Sequence, residues 1–395
     1  MAVSGASDVA ALAERARETG RLAIDTEFMG EGRYRPLLCL VQVGVTNPDD
    51  PQGPALVEVL DPLEGPLDPA PLAAVLADPA VEVVLHAGRQ DVPLLRREWR
   101  TELRNVFDTQ IAAGFAGMRA QLGYEALLSD LLGVRLRKTA SFTRWDTRPL
   151  SGEQLDYARE DVLHLLQASD ALQRRLRAGG RLEWAREECR GLEDVSDERQ
   201  VEAIFNRLPR INSLDPSQRA VAYALTQWRE DAARQEDRPV QSVLPDAALV
   251  EIAKRRPRDL DRLRQIRGLH EGTVRRRGRA LIDEVARGRE LPPIPVEGER
   301  PPPSDARDAA LIVLAEGLVR TRAAEARLAY ELLAARADLQ RVVTAVRLGL
   351  EEPDVRTLQG WRRRLIGEEL LELLAGRRML RVGDALDVIV DEYPG

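Results

Sequence analysis

Three short stretches carry acidic side chains at spacings that suit metal-dependent hydrolysis. In Ile24-Asp25-Thr26-Glu27-Phe28 the two acids stand two residues apart in an apolar run. On a strand such residues project from one face, so Asp25 and Glu27 lie side by side. Buried paired acids repel unless a cation neutralises them. Hard carboxylate oxygens suit magnesium or manganese. An exposed strand end with solvated acids is the plainer reading of this pair taken alone. The second stretch, Val83-Val84-Leu85-His86-Ala87-Gly88-Arg89-Gln90-Asp91, reads as a buried strand running out at His86. Gly88 permits a tight turn, and Asp91 then opens a helix. A first-turn acid also simply favours the helix dipole. In the third stretch Tyr157 and Asp161 are four apart, one above the other on a helix. Leu155, Ala158, Val162 and Leu165 form its apolar stripe, which puts the phenol and the carboxylate on the flank, where a cleft can open. An amphipathic helix with a half-buried tyrosine accounts equally well for that stretch by itself.

The elements that must position these groups are legible from hydrophobic patterning. Short runs rich in Val, Leu and Ile predict strands at 21–28, 37–45, 55–60, 81–86 and 105–109. The first three lack a helix-length segment between them and fit an antiparallel meander. Residues 37–45 are the longest apolar stretch, interrupted by Gln42. Helices are predicted at 70–76, 91–99, 109–117, 124–132 and 151–172. Strands in a run followed by alternating strands and helices imply a mixed sheet flanked by helices. Beyond about residue 175 the strand signal stops. Helical patterns at 217–234, 247–254, 260–265 and 273–287 form one set, and a second runs from about 307 to 390. Between them, LPPIPVEGERPPPSD at 291–305 reads as a stiff, extended linker.

Composition bounds the function classes. A chain of 395 residues is too long for one ordinary core. Its 44% hydrophobic and 31% charged content excludes global disorder. No stretch approaches the roughly 20 apolar residues of a membrane span. The N-terminus, with Asp8 and Glu14 and no apolar centre, does not read as a secretory signal. Cys39 and Cys189 are too few for a disulfide framework or a zinc site, so a reducing cytoplasm is expected. The net charge of −7 argues against binding nucleic acid by bulk charge. Residues 254–290, however, hold thirteen basic side chains against six acidic ones, a located polyanion contact or a solvated charged face.

IDTEF, HAGRQD and YAREDV, in that order, resemble the three motifs of the four-acid 3′–5′ exonuclease superfamily, in the subgroup with a tyrosine four residues before the last aspartate. FDTQIA at 107–112 and RPLSGEQLDYA at 148–158 resemble the ribonuclease D family in particular. Residues 237–268 resemble the HRDC domain, a helical module shared with RecQ-type helicases. The resemblance covers residues 20–290 by motif and 306–395 by position and helicity. One departure is Arg144, before Trp145, where many relatives carry an acid.

The resemblance implies a ribonuclease H-like α/β mixed-sheet exonuclease domain followed by two all-α HRDC-type domains. The divisions expected are 1–180 for the exonuclease, 181–210 for a helical connector, 211–292 for the first HRDC domain, 293–305 for the linker and 306–395 for the second. It assigns Asp25, Glu27, Asp91 and Asp161 as ligands of two divalent cations, Mg2+ or Mn2+, with Tyr157 orienting the attacking water. An unperturbed phenol near pKa ~10 is a poor base, which favours orientation. The implied partner is RNA with a single-stranded 3′ end, such as a tRNA precursor, bound by a monomer without a membrane. Substrate contacts are expected from Thr26, Phe28, His86, Gln90, Lys138, Arg144, Arg275, Arg276 and Arg277, with Arg148 and His164 nearby. Phe28, His86 and His164 are equally core packing residues. A DNA 3′–5′ exonuclease and a non-catalytic RNA-binding protein on the same fold are the alternatives. The second would have no reason to bury four unneutralised carboxylates.

Overall fold

The computed structural model describes residues 6–65, 67–119, 121–136, 144–296 and 305–394. The chain divides into two compact units, one formed by Met1–Glu27, Cys39–Ser196 and Arg300–Gly395, the other by Phe28–Leu38 and Asp197–Glu299. No described helix is long and apolar enough to cross a membrane.

The first unit begins with α1 (Ala6–Thr19), β1 (Arg21–Met29), β2 (Leu37–Val45), β3 (Leu56–Leu60), α2 (Ala70–Leu76) and β4 (Glu82–Leu85). It continues with α3 (Asp91–Trp99), β5 (Val106–Asp108), α4 (Thr109–Phe115), α5 (Tyr124–Leu132), α6 (Gly152–Leu163), α7 (Leu165–Ala178) and α8 (Leu182–Glu193). The sheet order is β3-β2-β1-β4-β5. β2 and β3 pair antiparallel, whereas β1–β4 and β4–β5 are parallel, with Leu22 opposite Val83 and Val84 opposite Phe107. β1 is thus the central strand, and its acids emerge from the middle of the sheet. Buried residues along β2 from Leu38 to Val45 match a strand covered on both faces.

Two features in residues 6–196 depart from the sequence expectation. α1 was not anticipated, although Val9, Leu12, Ala13 and Ala16 are buried at helical spacing. The helix expected at 151–172 is broken at His164, whose backbone lies at φ −109° and ψ 6°. The cause is a competing partner. The Leu163 carbonyl accepts the Ala55 N–H at 2.9 Å, and the Val162 carbonyl lies so close to Gly44 that a Cβ there would meet it at 3.2 Å.

The second unit contains α9 (Val201–Asn206), α10 (Pro216–Gln235), α11 (Val240–Val243), α12 (Asp246–Arg255), α13 (Leu260–Arg264) and α14 (Glu271–Glu290). Asp215 and Gln218 close a capping box at the start of α10. Val221, Leu225, Leu249, Ile252, Leu263 and Leu281 build its core. Residues 28–38 belong here as well. Tyr34 is buried, and its hydroxyl donates to Glu230 at 3.0 Å.

After the Pro-rich stretch, of which 297–304 lie outside the described residues, come α15 (Ala306–Ala326), α16 (Tyr330–Leu333), α17 (Arg336–Leu348), α18 (Gly360–Arg362) and α19 (Glu368–Leu374). The sequence sets 306–395 apart as a domain. In the structure Leu318, Trp361 and Leu370 share one continuous core with Phe115, Leu172 and Ala185. Trp361 stacks on Trp184 at 5.4 Å between centroids and meets Phe115 edge-on at 4.9 Å. The expectation of helix throughout this stretch is corrected at its end. β6 (Arg378–Val382) and β7 (Val388–Glu392) form an antiparallel hairpin with Leu380 opposite Val390. Branched residues in β7 and a turn holding Gly383, Asp384 and Asp387 favour that pairing.

Candidate active site

Asp25 and Glu27 lie on the same face of β1, as period-two alternation requires, and Asp161 reaches them from α6. One carboxylate oxygen from each of the three falls within 4.8 Å of the others. Ser151 and Gln154 fix the start of α6 with a reciprocal capping box. Arg148 secures the segment before it by a bidentate pair with Asp61, both contacts at 2.6 Å, and by a bond to the Cys39 carbonyl. Arg148 is therefore committed to Asp61 and is an anchor, not a free charge beside the substrate.

Asp91 is outside the trio defined by those distances. It opens α3 and accepts a hydrogen bond from the Thr26 hydroxyl, so Thr26 serves the acid through its side chain. The turn leading to Asp91 is strained at Ala87, whose φ is 59°. Asp108 holds that turn by accepting the Gly88 N–H at 2.8 Å and the Ala87 N–H at 3.3 Å, while also capping α4 through Gln110 and Ile111. Sequence reading assigned Asp108 no role, although an acid directly before a helix is a capping signal.

The electrostatics follow from burial without counter-charge. Among the described residues, no arginine, lysine or histidine forms an ion pair with Asp25, Glu27, Asp91 or Asp161. Burial first, and then Asp91, Asp161 and Glu27, push the Asp25 carboxyl well above the usual carboxylate range. Glu27 is raised to about 8 by burial and by Asp161 and Asp91. Asp161 is raised to about 7, chiefly by burial and then by Glu160. Asp91 reaches about 6, because burial outweighs the opposing Thr26 bond. The Tyr157 phenol is pushed upward by burial and by Asp161, Glu27 and Asp25, and so stays protonated. Its ring packs on buried Trp145 at 6.1 Å.

The other expected site residues fare differently. His86 has Nδ1 at 2.9 Å from the Thr109 hydroxyl, which itself donates to the Leu85 carbonyl. Its ring packs against Tyr124 at 5.3 Å. His164 bonds Gln167 at 2.8 Å. Phe28 is half-buried, and Gln90 is exposed ahead of α3. Lys138 lies outside the described residues. Arg144 is paired with Asp146 at 2.9 Å. Of the three α14 arginines expected to contact substrate, Arg277 grips Glu236 through two contacts at 2.6 and 2.7 Å, Arg276 bonds the Gly272 carbonyl, and Arg275 is exposed. Tyr124, which sequence reading passed over, buries its hydroxyl near enough to Asp161 and Asp25 for their charge to raise its pKa, behind the larger effect of burial.

An all-oxygen, anionic and otherwise unneutralised cluster fits a hard divalent cation better than any softer metal. The chain matches the 3′–5′ exonuclease family model over residues 1–177 and the HRDC domain model over 218–285. Exonuclease domains of this type use divalent metals. The ribonuclease D of Granulibacter bethesdensis is 37% identical over 391 residues, covering 96% of this chain and 94% of its own. That of Acidiphilium cryptum is 35% identical, covering 97% and 95%. The crystal structure of Escherichia coli RNase D, described as an exoribonuclease involved in structured RNA processing, superposes with a TM-score of 0.79 at 28% identity, covering 95% of this chain and 98% of that one. With Asp161 brought to the two acids of the central strand and relatives matching along nearly the whole length, the chain belongs to the ribonuclease D family of 3′–5′ exoribonucleases.

Proposed function

We propose that this chain trims the single-stranded 3′ ends of structured RNA, such as tRNA precursors, and releases nucleoside 5′-monophosphates by hydrolysis assisted by two divalent cations, Mg2+ or Mn2+. The observation that carries this reading is the half-buried trio Asp25, Glu27 and Asp161, with ligand oxygens within 4.8 Å of one another and no cationic partner among the described residues. These three and Asp91 would hold the cations. When bound, such ions make water nucleophilic at neutral pH and stabilise charge on the leaving 3′-oxygen.

The chain's own residues do the rest. Thr26 and the capped turn at Gly88 hold Asp91 in place, and the Ser151–Gln154 box holds α6, so the carboxylates are fixed before substrate arrives. Preorganised charge of this kind costs no rearrangement during the reaction. Tyr157, kept protonated by its surroundings, orients the attacking water as a hydrogen-bond donor or acceptor and does not act as a base. Phe28 wedges against the terminal base, and His86 and Gln90 border the scissile phosphate. Backbone groups at 26–28 cradle the terminal nucleotide. Arg144 and Lys138 add positive charge along the strand, and Arg275, Arg276 and Arg277 contact phosphates further along the RNA. Both cysteines are buried free thiols, as suits a reducing cytoplasm, and the enzyme acts as a monomer.

The test uses a 3′-tailed RNA hairpin, a blunt one and a DNA hairpin of the same sequence, each with Mg2+ or Mn2+ and with chelator. Stepwise 5′-monophosphate release from the tailed RNA alone is expected. Equal or faster release from DNA would favour the DNA exonuclease, and RNA binding without product would leave a non-catalytic binder.

A further inference from the structure

Gln42 lies in the middle of β2, 0% exposed, and neither its Oε1 nor its Nε2 has a hydrogen-bond partner among the described residues. A buried amide left unpaired on both sides is costly. Its place in the sheet gives a reason for keeping it. β1 and β2 are neighbours, and a Cβ built on Gly44 would come 3.4 Å from that of Ala23. β2 starts at Leu37, shortly after β1 ends at Met29. Only seven residues, 30–36, link the two strands, fewer than the roughly dozen that a parallel crossover needs. They therefore run antiparallel, and two steps along each strand from that contact bring Gln42 opposite Asp25. Period-two alternation puts both on one face. It is the face that α6 covers, since a Cβ built on Gly44 would also meet the Val162 carbonyl.

We infer that Gln42 is a positioning residue for Asp25. When the site is loaded, its Nε2–H donates to the Asp25 carboxylate oxygen turned away from the cation, fixing that ligand's orientation. Outer hydrogen bonds of this kind tune metal affinity by about 10–100-fold. The inference rests on the reading of Asp25 as a ligand.

The test is Gln42→Leu in the intact chain, with Gln42→Met as a second variant should the first not fold. Unfolding is followed in chelator, Mn2+ binding by calorimetry, and kcat and KM on tailed RNA, with Asp25→Ala alongside. Expected are a melting temperature equal to or above wild type, since an unpaired buried amide has been removed, with Mn2+ binding about 10-fold weaker and kcat lower at unchanged KM. A structural amide would give the opposite pattern: lower stability with Mn2+ affinity and kcat unchanged. That result, with Asp25→Ala inactive, overturns the role of Gln42 alone. An active Asp25→Ala overturns the ligand reading itself.

Discussion

Asp61 and Glu230 are buried as deeply as Asp91, yet their surroundings are opposite in kind. Asp61 takes two nitrogens of Arg148, each at 2.6 Å. Glu230 takes Arg199 at 2.8 Å and the Tyr34 hydroxyl at 3.0 Å. Asp308 is likewise met by Arg347 at 2.7 Å. The acids around β1 have no such partner among the described residues. In these three places an arginine-rich chain has neutralised buried acids that serve structure. At the site, the described part of the chain leaves the charges unbalanced. A buried acid with its own guanidinium is an anchor, whereas buried acids facing each other make a place for a cation from outside.

The largest way to break that contrast is truncation of the site acids. Asp25→Ala and Asp161→Ala should each lower hydrolysis by roughly 10³-fold or more, with folding intact. Near-normal turnover in either would remove that residue from the ligand set. Asp61→Ala should do the reverse, leaving Arg148 without its partner and costing about 3–5 kcal/mol, read from the urea midpoint. Unchanged stability would mean that the anchor is not one. Tyr157→Phe should cost roughly 10²-fold in kcat with Mn2+ binding unaltered; an unchanged rate would end the water-orienting role.

A finer test is the pH dependence of stability in chelator. Glu27, Asp161 and Asp91 are raised to about 8, 7 and 6, above ordinary carboxylates near ~4. Between those limits the folded protein holds protons that the unfolded chain has released, so stability falls as pH rises from about 4 to 8. The melting temperature should therefore drop across that window, Mg2+ should restore it more at pH 8 than at pH 5, and Asp161→Asn should flatten the slope. A rise through the window would show that something already neutralises the cluster. The smallest effect is expected on α14. Replacing Arg275 and Arg276 by alanine should reduce the slope of log affinity against log salt by about 2. Arg277→Ala should change it less, because Glu236 already holds that guanidinium.

Much of the site was legible because its spacings are local. The two-residue step of Asp25 and Glu27 and the four-residue step of Tyr157 and Asp161 are the periods of a strand and a helix. Any chain that forms those elements puts those pairs on one side. Less was legible where a partner lies far along the chain. Arg148 looked like a free cation until Asp61 claimed it. The helix break at His164 depends on Ala55 taking the Leu163 carbonyl. Gln42 showed only as an interruption in an apolar run, and its relation to Asp25 follows from strand register.

Element types, the order of the motifs and the identity of the acids were set by the sequence itself, because hydrophobic period and turn chemistry act over a few residues. Which carboxylates meet, which arginines are spent on anchoring and how Trp361 joins the core of Phe115 were settled only by tertiary packing. Burial and pairing depend on what the rest of the chain brings alongside, and no local pattern encodes that.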